Sequence, residues 1–352
     1  MRYTEEESEI FFMKYVKAAD IARALNISKA SVSLALNQKP GVSEALRQRV
    51  FETKAALEAG TFAPEEPQEE KSREQLGLLI YQSRNGILEN LNALLPTAPI
   101  VELIEKAATE RGYGLQVAVA DSENLEASLE RLAQNSRLAG LLVMGTDLDQ
   151  TAYPALRAFA RPLLVIDHDL DAGVNCSLLD NYDVAKNSVK FLQEAGAQDI
   201  YYLAMNKTIF NFKERRAGFL HEMEKRGPAA ERIVPLADTV EEGKTAFRNW
   251  LQSHPLPEGL LCESIHTGIA AMQVLLEQGI MPSQDVQLIC VDEAEPYLSG
   301  GLRMASWKLD HSERMELAAD MLDRSIRHPS RFAHKLVSRS VFQPGDTLHR
   351  KA

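Results

Sequence analysis

From residue 76 onward, short aliphatic runs alternate with longer stretches whose apolar positions recur at helical spacing. The runs are LGLLIY (76–81), LQVAVA (115–120), GLLVMG (140–145), PLLVID (162–167), IYYLA (200–204), GLLC (259–262) and VQLICVD (286–292). They are too uniformly apolar for strands wet on one face, so they predict strands buried on both. Helical spacing lies between them, as in Val101–Arg111, Val184–Glu194, Arg216–Lys225, Thr267–Gln278 and Arg314–Arg327. That alternation predicts parallel sheets covered by helices on both faces. A body of about 275 residues is large for one open sheet and suggests two similar lobes.

The front of the chain follows another pattern. Residues 16–58 read VKAADIARALNISKASVSLALNQKPGVSEALRQRVFETKAALE. Ile21, Leu25, Ile27, Val32 and Ala35 supply a small apolar interface for two short helices crossing steeply, and Ala22 is small enough to let them approach. Asn26 sits at the turn, where Asn tolerates a left-handed backbone. Ser28 suits the N-cap of the second helix, leaving Lys29, Ala30 and Ser31 to face outward. A third amphipathic helix follows Ser43 through Leu46, Val50 and Leu57. This is the spacing of a helix-turn-helix, whose second helix lies in the major groove of DNA. Charge supports the reading. Lys14 to Glu58 carries eight Lys/Arg against four Asp/Glu, while the whole chain has a net charge of −11. A basic module on an acidic protein is suited to phosphate attraction.

Between the two patterns, TFAPEEPQEEKSREQ (61–75) reads as a solvated linker. A length of 352 residues allows two or three domains. No apolar run is long enough to span a membrane and no secretion signal opens the chain, so a cytoplasmic location is expected. Cys176, Cys262 and Cys290 are odd in number and far apart, which favours neither a disulfide framework nor a zinc site. No metal or cofactor is expected, and no enzymatic constellation stands out. DHDLD (167–171) alternates faces on a strand, GYGLQV (112–117) precedes a strand rather than following one, and DEAEP (292–296) reads as a surface turn.

Taken together, these motifs resemble the lactose-repressor (LacI/GalR) family. DIARALNISKASVSLALN followed by VSEALRQRV is similar to its DNA-binding signature. KERRAGF resembles its Arg-x-x-Gly-Phe element, with Arg215, Gly218 and Phe219 in place. LLDNYDVAKNSVKFLQEAGAQDIYYL resembles the segment opening the second lobe, and MQVLLEQGIMPSQDVQLICVDE the helix and strand near the end. The resemblance implies an α/β protein. An all-α helix-turn-helix head would precede a bilobal periplasmic-binding-protein-like domain with two parallel sheets. The expected division is an extension at 1–15, a head at 16–60, an atypical hinge at 61–75 and a body at 76–352. The first lobe would take about 76–167 plus 293–325, and the second about 168–292 plus 326–352. The resemblance also implies a homodimer on a pseudo-palindromic double-stranded operator, with a small-molecule effector, a sugar or related metabolite, between the lobes.

Several positions depart from the family pattern. Leu34 stands where an Arg usually reads guanine, and can offer only apolar contact, for instance to a thymine methyl. Glu69 and Glu70 fall where the usual hinge carries Ala and Arg, so the hinge-helix device is expected to be absent or altered. MRYTEEESEIFF (1–12) is an additional acidic and aromatic extension. Ser264-Ile265 replaces the Asn-Asp typical of sugar binders, and the loop Ser83–Pro99 is longer than usual.

Ligands of such folds sit at the carboxyl ends of the strands. The expected effector contacts are therefore Tyr81, Asn85, His168, Ser264, Asp292 and Trp307, each following a strand, with Arg215 added by motif match. An Arg, an Asp and an aromatic face suit a polyol or a purine. Arg215 also fits a helix cap, Asp292 a strand-end cap, and Trp307 a core or dimer-interface position. On the DNA side, Lys29, Ala30, Ser31 and Leu34 are expected at base edges, Ser28 and Ser33 at phosphate, and Asn37 at the end of the recognition helix. The expected function is ligand-responsive transcription regulation, as a repressor. Two alternatives stay open: a DNA-bound regulator controlled by a protein partner with a degenerate ligand pocket, and a solute-binding sensor.

Overall fold

Two six-stranded sheets form the body, seen in a computed structural model that describes residues 16–25, 29–39, 44–59, 73–83, 86, 98–170, 173–294 and 300–349. The extension 1–12, linker residues 61–72 and the expected contacts Ser28 and Asn85 lie outside the described residues. Of Lys29, Ala30 and Ser31 only the backbone is described. The chain divides into two compact units, 1–72 and 73–352.

In the first unit, α1 (Ala18–Leu25), α2 (Lys29–Leu36) and α3 (Glu44–Glu58) close on Ile21, Ala22, Val32, Ala35 and Val50. Helix α2 ends in a left-handed turn at Gln38 (φ 51°), where Lys39 N donates to Leu34 O at 2.9 Å. Arg47 of α3 donates to Ala35 O and Lys39 O at 3.3 and 3.2 Å, tying α3 to the last turn of α2 and the turn after it.

In the second unit, the first sheet runs β11 (Lys335–Ser338), β5 (Asn175–Leu179), β4 (Leu163–Ile166), β3 (Leu138–Met144), β1 (Gln75–Tyr81), β2 (Gly114–Ala120), all parallel. The second runs β12 (Val341–Gln343), β10 (Ala305–Lys308), β9 (Gln287–Cys290), β8 (Gly259–Cys262), β6 (Ile200–Ala204), β7 (Ile233–Pro235), with β12 alone antiparallel. Helices cover both faces of each. On the first sheet, α4 (Ala98–Glu110) and α11 (His311–Arg327) pack over Leu78, Leu142 and Leu164. Its other face carries α5 (Leu125–Gln134) and α6 (Tyr153–Arg157) over Leu79, Leu141 and Val165. On the second sheet, α7 (Asn181–Glu194) and α8 (Phe210–Met223) cover Tyr202, Leu261 and Ile289. Its opposite face is covered by α9 (Val240–Ser253) and α10 (Ile265–Glu277). Burial on both faces is why the inner strands read as continuous apolar runs; β2 was expected to be buried likewise, but as the sheet edge it leaves Val117 and Val119 exposed.

The strands correct the expected lobe boundaries. Residues 175–179 form β5 in the first sheet, 305–308 form β10 in the second, and 335–338 return to the first as β11. The chain therefore passes between lobes at Asp180, between β10 and α11, and between β11 and β12. The first and last passes are bonded together. Ser340 donates its N–H to the Asp180 carboxylate at 3.1 and 3.2 Å and its hydroxyl at 2.9 Å.

Candidate effector crevice and DNA-facing helix

Parallel strands bring their carboxyl ends to one rim of each sheet, so residues just past β1, β3 and β4 gather opposite those past β6, β8 and β9. Two contacts bridge the gap. The His168 ring, past β4, lies 5.2 Å from the Phe210 ring at the start of α8. Lys207, past β6, donates from Nζ to Gly86 O at 3.0 Å.

Arg215 projects from α8 to the ends of β8 and β9, fully within the second lobe. Its Nε donates to Asn181 Oδ1 at 2.7 Å, Nη1 to Glu263 O at 2.5 Å and Nη2 to Asp292 Oδ1 at 3.1 Å. Burial opposes its charge, but Asp292, Tyr202 and Glu263 outweigh that and raise its pKa. Asp292 is less enclosed, its side chain 30% exposed, and its Oδ2 accepts the Ile265 N–H at 3.1 Å at the start of α10. The pair thus offers a fixed cation edge and a part-open carboxylate, the chemistry that grips neighbouring hydroxyls.

His168 is buried, its Nε2 2.6 Å from the Tyr153 hydroxyl. Beside it Asp167 holds a left-handed backbone (φ 64°) and accepts from Arg314 Nη2 at 2.5 Å and Thr146 Oγ1 at 3.2 Å. Ser264 is committed to structure. It caps α10 in a capping box with Thr267, its N–H donating to Thr267 Oγ1 at 3.0 Å.

Two expected contacts are corrected. Trp307 lies within β10, not after it, and stacks on Phe191 with ring centroids 5.7 Å apart; its Nε1 donates to Ser188 Oγ at 2.8 Å. The strand starts later than the apolar pattern suggested, so the indole faces α7 in the core. Tyr81 is fully buried with Leu79 against α5 and α6, because strand alternation turns it to that face, and its hydroxyl donates to Asp149 at 3.5 Å.

Residues that the pattern did not single out complete the rim. Glu263 is fully buried, accepting from Arg216 Nε at 2.7 Å, Arg216 Nη2 at 3.0 Å, the Tyr202 hydroxyl at 3.0 Å and Met205 N at 2.7 Å. Burial raises its pKa, partly offset by Arg216. His266 Nδ1 and Asp238 Oδ1 are buried without a hydrogen-bond partner among the described residues. Burial lowers the pKa of His266.

On the head, Ser33 and Asn37 are exposed and Leu34 half-buried along α2, while Val32 and Ala35 point inward. Asn37 folds back, its Nδ2 donating to Ser33 O at 2.8 Å. Among the described residues no group of three His, Cys, Asp or Glu could hold a metal, and no helix is long and apolar enough to cross a membrane.

Comparison with known proteins places both units. Residues 18–60 match the family of bacterial regulatory proteins, lacI family, and residues 189–347 match the periplasmic binding protein-like domain. The chain is 22% identical to the "Probable HTH-type transcriptional repressor ExuR" of Bacillus subtilis, over 95% of this chain and 99% of that protein. It is 26% identical to the HTH-type transcriptional repressor PurR of Escherichia coli O139:H28, over 78% of this chain and 79% of that protein. Among solved structures, the lac repressor dimer bound to operator and the anti-inducer ONPF superposes with a TM-score of 0.67 at 21% identity, covering 95% of this chain and 99% of that one. The CelR–cellobiose complex superposes with a TM-score of 0.65 at 20% identity, covering 95% and 100%.

Proposed function

From the match of residues 18–60 to bacterial regulatory proteins of the lacI family and of residues 189–347 to a periplasmic binding protein-like domain, we propose that the chain is a transcriptional repressor whose hold on its operator is set by a small molecule in the crevice. It works as a homodimer in the cytoplasm. Helix α2 enters the major groove with Lys29, Ala30, Ser31 and Leu34 at base edges, and Ser28, Ser33 and Asn37 near the backbone. On the body, edge strand β2 leaves Val117 and Val119 45% and 53% exposed, an apolar edge suited to a second copy.

The observation that carries the effector reading is the buried Arg215 held against the part-open Asp292 carboxylate at the rim. Arg215, Asp292 and His168 are its contacts, joined by His266, Asp238, Lys207 and Phe210. Ser264 acts through its cap on α10. A hydroxyl-rich ligand, a sugar or related metabolite, fits the donors and acceptors. Closing the lobes on it would be coupled to DNA affinity by about 1–3 kcal/mol, reciprocal between the two sites.

A thermal-shift screen of the whole protein against sugars, sugar phosphates, polyols and purines tests this. At a hundredfold excess over its Kd, a true effector adds about 2.7 kcal/mol of stability. Asp292→Asn, which keeps the shape of the rim, is expected to abolish most of the shift, as is Arg215→Lys. A ligand whose shift survives both variants does not occupy this crevice. One that leaves operator affinity unchanged at saturation is not an effector.

A further inference from the structure

Away from the crevice, at the opposite end of the first sheet, the starts of β4 and β5, the end of α11 and residues 329–333 enclose a cavity of about 240 Å³. Arg157, Arg161 and Arg331 line it, with Asn175, Ser325 and the exposed ring of Phe332. Among the described residues no aspartate or glutamate does. With strands of four and five residues between them, this cavity and the effector crevice are roughly 13–17 Å apart.

Two of the guanidinium groups are held in place by neutral acceptors. Arg157 donates to Leu170 O and lies 5.4 Å over the Tyr153 ring. Arg161 donates to Leu138 O, and to Ala133 O and Asn135 O at 3.1 Å each, where α5 ends. These bonds fix both side chains without cancelling their charge, and both keep donor hydrogens to spare. Arg331 is exposed, with no carboxylate partner among the described residues. Asn175 is oriented too, donating to Ser325 Oγ at 2.9 Å and accepting from His334 N at 2.8 Å. The chain as a whole carries a net charge of −11, so a cavity lined by three arginines and no described carboxylate departs from the overall balance. Phe332, 79% exposed at the mouth, offers an apolar face beside the arginines.

We propose that this cavity is a second ligand site, taking a small metabolite that carries a phosphate group. The oxygens of a phosphate match several guanidinium forks at once, and the rest of the molecule lies against the Phe332 ring. The site is independent of the effector crevice and shares none of its residues.

Calorimetric titration of the full-length protein with pyrophosphate tests it. Saturable binding at one site per chain is expected, weakened at least about tenfold in Arg331→Gln and abolished in Arg331→Glu. Arg331 is exposed, so both variants should melt as the wild type does. Absence of binding to the wild type overturns the proposal, as does affinity unchanged in both Arg331 variants. Binding lost in Arg47→Gln but kept in Arg331→Glu would place the anion on the DNA-binding unit, and overturns it equally.

Discussion

His266 shows how burial at the crevice becomes a property that can be measured. Only 4% of it is exposed, and burial lowers its pKa below the ordinary 6.5, with Lys207 acting in the same direction and Asp292 and Asp238 against. Between the lowered folded value and 6.5 the unfolded chain binds the extra proton, so stability rises with pH across that window. The contribution is complete above 6.5 and is lost as the pH falls through the folded value. Melting temperature is therefore expected to drop on acidification from neutrality, and His266→Gln to drop less steeply over the same range; parallel curves would show that folding leaves the His266 pKa unshifted. The same residue marks a limit of reading by pattern. Arg215 was legible because its place in Arg-x-x-Gly-Phe tied it to a site. Glu263 and His266 follow a strand as any solvated residue might, and only the folded chain brings Glu263 to Arg216 and Tyr202.

The glycine of that same motif acts between elements. Helix α8 crosses α7 so closely at Gly218 that an added Cβ would stand 2.1 Å from Tyr182 O. Backbone is there, not a side chain that could swing aside, so Gly218→Ala must push the helices apart and disturb Phe219 in the core beneath. A loss of about 2–3 kcal/mol is expected, read as a lowered urea midpoint with unchanged slope; an unshifted midpoint would mean that the contact gives way freely. The elements themselves divide by how uniformly apolar they are. The runs that became β1, β3, β4, β6, β8 and β9 announced themselves because both faces are covered. In β5 the polar Asn175 and Ser177 interrupt the pattern, although Ser177 is fully buried and its carbonyl receives Arg314 at 3.0 Å. Strands β11 and β12 are short, part-exposed edges with no run to detect. Missing β5 displaced the first expected lobe boundary, and missing the edge strands β11 and β12 displaced the last.

For the whole molecule, the division into a small helical unit with a basic segment at Lys14–Glu58 and a large acidic one was legible from composition, because charge balance and apolar spacing both change across the linker. It carries a consequence for unfolding. The first unit closes on five buried apolar residues, four of them Ala or Val, whereas the second has four extensive clusters spread over both faces of two sheets. A domain of fewer than about 60 residues buries too little of its surface to be more than marginally stable. Both tryptophans, Trp250 and Trp307, belong to the second unit and are packed in its clusters. Far-UV circular dichroism reports all helices, while tryptophan fluorescence reports the second unit alone. On heating without DNA, the helical signal is expected to begin falling before the fluorescence moves, as the head melts first. Non-coincident probes exclude a two-state transition. Polyanionic DNA at low salt binds only the folded head, so adding it should shift the early phase upward and leave the later one in place. Curves that superimpose with and without DNA would mean that head and body unfold as one block.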